Sequence, residues 1–306
     1  MNMTQASTQL EDVGLVTFIG AGVMGLPMVR NLKKGGVTVR VFDVREDVRN
    51  ALEAEGIAVV ATLAEAGAAR GTVIAMLPDT PDVRSVVLGP NGLVETLPEG
   101  SLFVDMSTIA PAAERDMSER LEARNIAMVD APVSGGVIGA VNGTLSIMVG
   151  GTDTAFAAAR PILAHMGTTI LHAGGIGSGQ VFKMCNQLMV ASHIQAMCEA
   201  FALARAHEVD LTLMSNALRG GAAGSWMLDN LGPKVIAKDG SAGFRIDLQL
   251  KDLKLANDAA FEKGVPLPGL AVATSLYLEA RAHGEGSNGN QALFRTFDRL
   301  ANQAER

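Results

Sequence analysis

Aromatic side chains are scarce in this sequence, which has one Trp, one Tyr and ten Phe in 306 residues. Its cores must be built from Ala, Val, Leu, Ile and an unusually large share of Met. Cysteine is as rare: Cys185 and Cys198 both fall in one stretch of helical periodicity. Helix rise separates them by roughly 20 Å, too far for a bridge within the chain. Both are expected to be reduced core thiols, which suits a cytoplasmic protein. Positive charge is not in excess. The formal net charge of −7 gives no footing for a nucleic-acid partner. The five His are scattered without metal-ligand spacing, so no metal is expected. No Gly-x-Ser-x-Gly elbow occurs, which leaves a serine hydrolase without support. Residues 1–13 are polar and lack the apolar stretch of a signal peptide, so they are expected to form a flexible tail. The longest apolar stretch, 180–208, is interrupted by Lys183, Asn186, Gln187, His193 and Glu199, which excludes a membrane span.

What is abundant is glycine in one particular setting. The turn Gly20-Ala21-Gly22-Val23-Met24-Gly25 follows a short apolar run, 15–19, and precedes Met28, Val29 and Leu32 at helical spacing. Strand, G-x-G-x-x-G and helix in that order form the dinucleotide-binding fingerprint. Gly20 permits the tight turn, Gly22 lets backbone approach a pyrophosphate, and Gly25 lets helix and strand pack closely. A second apolar run, 37–42, ends at Asp43, placed to accept hydrogen bonds from the adenosine ribose. Its charge opposes a 2′-phosphate, and Arg45 partly offsets it. The expectation is NAD as preferred cofactor, with NADP possible.

Further apolar runs at 57–60, 72–77, 101–104 and 126–129 alternate with helical stretches, which predicts a parallel sheet covered on both faces. The ends of these runs, at Met76-Leu77-Pro78 and at Thr108, lie where open α/β sheets bind ligands. Thr108 has a second reading, as N-cap of a helix beginning near Pro111. Residues 145–149 read as a strand, 153–166 as a helix and 169–171 as a short run. Before them, Ser134-Gly135-Gly136 is either an anion-binding nest of successive N–H groups or a flexible loop. A glycine break at 173–179 predicts a domain boundary, giving an α/β Rossmann-type domain over 14–175 and an all-α domain over 176–306. The long helix 180–208 is apolar over most of its circumference, so burial along its length is expected.

Lys183, Asn186 and Gln187 stand at i, i+3 and i+4 on that helix and share a face. A lysine there can give a proton to a carbonyl oxygen during reduction and recover it during oxidation. Equally, its stem can cross apolar surface while its head reaches water. His193 follows on the same face, about 10 Å farther along the axis, and is expected to be a core histidine. Lys251-Asp252-Leu253 either brings a cation to the cofactor or forms a solvated helix face.

The segments Phe18-Ile-Gly-Ala-Gly-Val-Met-Gly-Leu-Pro-Met28, Asp130-Ala-Pro-Val-Ser-Gly-Gly136, Gly179-Gln-Val-Phe-Lys-Met-Cys-Asn-Gln187 and Lys251-Asp-Leu253 occur in one order. In them the chain resembles the β-hydroxyacid dehydrogenases, from Gly14 to about Gln303. The resemblance implies a Rossmann-type domain followed by a helical one, and a homo-oligomer, dimeric or tetrameric. It implies Lys183 as general acid/base and Asn186 as its substrate-orienting neighbour. Ser134, Gly135, Gly136 and Gln187 would hold the substrate, and Thr108 and Lys251 would contact the cofactor. The segments 219–225 and 243–252 look most like the branch that reduces tartronate semialdehyde (2-hydroxy-3-oxopropionate), with the 3-hydroxyisobutyrate branch as alternative. Val137-Ile138 departs from the polar or Pro-containing pair usual after the Ser-Gly-Gly turn. A catalytically silent nucleotide-binding scaffold would keep the glycines and lose the lysine.

Overall fold

The structure, a computed structural model, describes residues 14–302. These fall into two compact units that divide after Lys183. The division lies inside the helix Ser178–Ala206, beyond the glycine segment where the sequence suggests a boundary. The reason is local: the first turn of this helix is hydrogen-bonded to Asp130 of the first unit.

The described residues form one nine-stranded sheet, in the first unit. Its strands are β1 Leu15–Ile19, β2 Thr38–Phe42, β3 Ala58–Val59, β4 Thr72–Ala75, β5 Leu102–Asp105, β6 Ala127–Asp130, β7 Val133–Ser134, β8 Leu145–Gly150 and β9 Gly167–Gly174. The order is β3-β2-β1-β4-β5-β6-β8-β7, with β9 paired to β8. From β3 to β6 every pairing is parallel, and β8 joins β6 antiparallel. The strand order 3-2-1-4-5-6 is that of the dinucleotide-binding α/β folds.

The central strands β4 and β5 are buried at every position and mostly apolar, with Thr72 and Asp105 at their ends. The pleat sends alternate side chains to opposite sides. Val16, Phe18, Ile74, Val104 and Val129 enter one core, together with Met28, Val29 and Leu32 from the helix Gly25–Lys34. Ile19, Val73, Ala75, Phe103 and Met128 enter the other, with Met117 and Leu121 from the helix Pro111–Glu122. Parallel crossovers bring all the carboxyl ends from β1 to β6 to one edge of the sheet.

The second unit is helical among the described residues, and its core gathers Ile194, Cys198, Phe201, Leu253, Tyr277 and Phe294. The helix Ser178–Ala206 is not buried along its length, contrary to its composition. Val181, Phe182, Cys185, Met189, His193 and Leu203 are exposed, while Met184, Ala191, Ile194, Cys198 and Phe201 are buried. Only one stripe of an apolar circumference meets a core. His193 is thus no core histidine and Cys185 no core thiol. No described helix is long and apolar enough to cross a membrane.

Candidate active site

The glycine turn sits at the carboxyl end of β1, beside β4, where the chain's connections diverge to the two sides of the sheet. Gly20 has φ +93°, and a Cβ there would meet Met76 O at 2.5 Å and Leu77 Cδ2 at 2.8 Å. A Cβ at Gly25 would collide with the Gly20 carbonyl. At Gly22, by contrast, a Cβ would meet nothing within 4 Å. The first two glycines serve packing, and the third leaves an open cradle in front of a helix start. The helix Gly25–Lys34 has no side-chain cap and no acidic residue in its first turn, so no residue of its own offsets its positive end. Ala21 and Val23 flank Gly22, with Val23 exposed and Met24 packed against the core. These residues fit the pyrophosphate of a dinucleotide.

Asp43 follows β2 and is buried. Its carboxylate accepts from Ala21 N at 2.9 Å, Arg45 N at 2.9 Å and Arg45 Nε at 3.1 Å. Burial pushes its pKa up, but the Arg45 and Ala21 hydrogen bonds prevail and hold it below the usual carboxylate range. Asp43 is therefore a fixed negative charge bonded to the glycine turn itself.

Met76, Leu77 and Pro78 leave β4 beside this turn. Met76 N donates to Ile19 O, and Leu77 N donates to Ser107 Oγ at 2.9 Å. Thr108 lies half-buried in the segment after β5. It is not an N-cap: that position falls to Ala110, whose N–H donates to Thr80 Oγ1 at 3.2 Å.

Ser134-Gly135-Gly136 is not a flexible loop. Val133–Ser134 pairs with β8, and Gly136 begins a helix, Gly136–Asn142, that the glycine-rich sequence conceals. Gly135 has φ +126° and Gly136 φ +60°, conformations that favour glycine. A Cβ at Gly136 would meet nothing within 4 Å. Ile138 is exposed on the following turn.

A buried polar cluster lies at the start of Ser178–Ala206. Asp130 accepts from Gly177 N at 2.6 Å and Gln180 N at 2.9 Å, capping a helix from another strand's end. Gln180 donates to Glu114 Oε1 at 2.6 Å, and Glu114 is buried in the electrostatic reach of Asp105 and Asp130. Burial, then the Asp105 and Asp130 charges, push Glu114 well above the ordinary carboxylate range and favour its neutral form. The functional reading of the sequence passes over Glu114. Its signal is position: Glu114 stands with Met117 and Leu121 on the buried stripe of its helix. Lys183, three residues beyond Gln180, is buried at 7 % exposure.

In the second unit, Asn186 Nδ2 donates to Gln187 Oε1 at 2.7 Å, and Gln187 Nε2 donates to Asp252 Oδ2 at 2.6 Å. Lys251 Nζ lies 3.2 Å from Asp252 Oδ1. Lys251-Asp252 is not a solvated helix face, because both side chains are largely buried. Gln187 is buried with both ends of its amide engaged, which ties Asn186 to Asp252.

A glycine cradle at a Rossmann switch point, an acid after β2 and a buried lysine define a nicotinamide-dependent oxidoreductase. Residues 15–175 match the family described as the NAD binding domain of 6-phosphogluconate dehydrogenase. Residues 177–297 match the family described as NAD-binding of NADP-dependent 3-hydroxyisobutyrate dehydrogenase. A 3-hydroxyisobutyrate dehydrogenase of Pseudomonas aeruginosa is 38 % identical, over 92 % of this chain and 99 % of its own. A 2-hydroxy-3-oxopropionate reductase of Escherichia coli is 36 % identical, over 93 % and 97 %. The solved structure of Mycobacterium tuberculosis 3-hydroxyisobutyrate dehydrogenase with L-serine superimposes with a TM-score of 0.86 at 32 % identity, covering 93 % of this chain and 99 % of that one. The chain belongs to the β-hydroxyacid dehydrogenase family related to 3-hydroxyisobutyrate dehydrogenase, and it is an NAD(P)-dependent oxidoreductase of hydroxy acids.

Proposed function

We propose that this enzyme reduces 2-hydroxy-3-oxopropionate to glycerate, using NAD(H) in preference to NADP(H). The observation that carries the chemistry is Lys183, buried one turn beyond a helix start pinned by Asp130. Bound NADH supplies the hydride to the aldehyde carbon. Lys183 gives its proton to the carbonyl oxygen, so an alcohol leaves and the lysine is restored from solvent. Ser134, Gly135 and Gly136 hold the carboxylate through backbone N–H groups and a hydroxyl. Asn186, oriented by Gln187, directs the substrate hydroxyl. Thr108, Met76, Leu77 and Pro78 line the cofactor, and Lys251 adds a cation to it. A homo-oligomer is part of the same reading, and sedimentation measures it.

A second substrate, 3-hydroxyisobutyrate, is favoured by one feature. Val137-Ile138 sets apolar groups immediately after the carboxylate-holding turn, which suits a methyl-bearing acid. The 38 % identical relative with that name points the same way. Steady-state rates with tartronate semialdehyde and methylmalonate semialdehyde, each with both cofactors, decide between them. Lys183→Met tests the chemistry common to both. It keeps the apolar stem and removes the proton donor, so kcat should fall about 10²- to 10⁴-fold while NADH still binds. A folded variant with wild-type turnover removes Lys183 from the mechanism.

A further inference from the structure

Gln180 is fully buried, and its side-chain amide makes an unusual set of contacts. Nε2 donates to Ser107 O at 2.9 Å, and Oε1 accepts from Ile109 N at 3.2 Å. Those two backbone groups flank Thr108 on either side. The amide thus grips the peptide around Thr108 much as a neighbouring strand would. Its second Nε2 proton goes to Glu114 Oε1 at 2.6 Å. The Gln180 backbone N–H meanwhile donates to Asp130. Every hydrogen-bonding direction of the side-chain amide but one lone pair is used, in a region without water access. Lys183 stands at i+3 from Gln180, on the same helix face.

We propose that Gln180 is a positioning residue, which fixes Lys183 relative to the Thr108 segment and is itself latched by the Glu114 carboxyl. This inference rests on the reading of Lys183 as proton donor and of Thr108 as a cofactor contact. Proton and hydride must reach adjacent atoms of one carbonyl. Their donors are carried by different elements, the Ser178–Ala206 helix and the segment after β5, and Gln180 bonds the two together. A misplacement of about 1 Å can cost on the order of 10²-fold in rate. Glu114 is fully buried and accepts from Gln180 through Oε1, and its burial beside the Asp105 and Asp130 charges favours the neutral carboxyl. The latch therefore needs hydrogen-bonding groups of the right shape at position 114 and no charge.

The test uses Gln180→Leu, Glu114→Leu, Glu114→Gln and Lys183→Met, with the double variant Gln180→Leu/Lys183→Met. NADH affinity is read by fluorescence titration, folding by thermal melts, and kcat and KM by steady state. Gln180→Leu should lower kcat about 10- to 100-fold while the NADH dissociation constant and the substrate KM change less than about threefold. Glu114→Leu should fall similarly, and Glu114→Gln should recover at least about a third of the wild-type kcat, since an amide oxygen still accepts from Gln180. In the Lys183→Met background, Gln180→Leu should cost nothing further, because there is no proton donor left to position. An additive loss in the double variant, or wild-type kcat in a folded Gln180→Leu enzyme, overturns the positioning role and leaves Lys183 standing. Wild-type kcat in Lys183→Met overturns both. Should Gln180→Leu fail to fold, the contrast between Glu114→Leu and Glu114→Gln decides the same question.

Discussion

Cofactor choice should turn on Asp43, and Coulomb's law sets the order of magnitude of the effect. Asp43 is buried, ionised and bonded to the glycine turn through Ala21 N, so it cannot swing away from an incoming 2′-phosphate. Two like unit charges about 4 Å apart repel by about 4 kcal/mol at an effective dielectric of 20. Arg45 lies within 3.1 Å of Asp43 but its side chain is half exposed, and an exposed cation recovers only about 1 kcal/mol. The remainder, about 3 kcal/mol, corresponds to roughly 100-fold in favour of NAD. The assay is kcat/KM for NADH and NADPH with one aldehyde. Asp43→Asn should shrink the ratio to below about tenfold, mainly through improved NADPH use, because the repulsion goes and Arg45 stays. Wild-type preference for NADPH would refute the reasoning, since Arg45 would then outweigh a charge that is buried and fixed. An unchanged ratio in Asp43→Asn would refute it as well.

Gly136→Ala should raise the substrate KM at least about tenfold while the NADH dissociation constant holds. Its Cβ meets no protein atom, and the φ of +60° costs only about 1 kcal/mol, so any larger effect lies with a ligand. Unaltered KM would move the carboxylate elsewhere. The pH dependence of stability should carry the mark of Asp130, pushed up to about 6 chiefly by burial from an ordinary 3.8. Between those values the folded chain binds the proton that the unfolded chain has lost, so this group's contribution falls as pH rises from about 4 to 6. The difference reaches about 3 kcal/mol, and denaturant titrations at both ends of the window, with Asp130→Asn as the flat control, measure it.

The parts of the fold that the sequence reveals are those whose pattern is set by burial alone. Continuous apolar runs mark β4 and β5 because both faces of each are covered, and the glycine turn is legible because Gly20 and Gly25 have no room for a Cβ. The parts that stay hidden depend on partners far along the chain. Val133–Ser134 is a strand only because Ile147 and Ser146 lie opposite, and two residues carry no periodicity. The helix Gly136–Asn142 is too short and too rich in glycine to announce itself. The exposed face of Ser178–Ala206 is invisible for the opposite reason, since an apolar circumference does not say which side meets a core. At the site, Lys183 and Asp130 stand in recognisable segments. Glu114 does not, and only its place on an apolar stripe sets it apart from the other acidic residues of its helix.

Asp130 shows why such a cluster is kept despite its cost. The helix bearing Lys183 begins next to glycines, so its first N–H groups must be satisfied from elsewhere, and β6 ends at the right place to do it. Close approach requires glycine at two further positions. A Cβ at Gly150 would collide with Asp130 Oδ1, and one at Gly179 would lie 2.8 Å from Oδ2. The resulting carboxylate is pulled two ways. Burial favours its neutral form, while two backbone donors and the positive end of the helix favour the charged one. Above about pH 6 the charge persists and the cap is strongest, just where burial penalises the fold most. Protonation relieves that penalty and weakens the cap. The pH that best holds the start of the Lys183 helix is therefore higher than the pH at which this group destabilises the fold least.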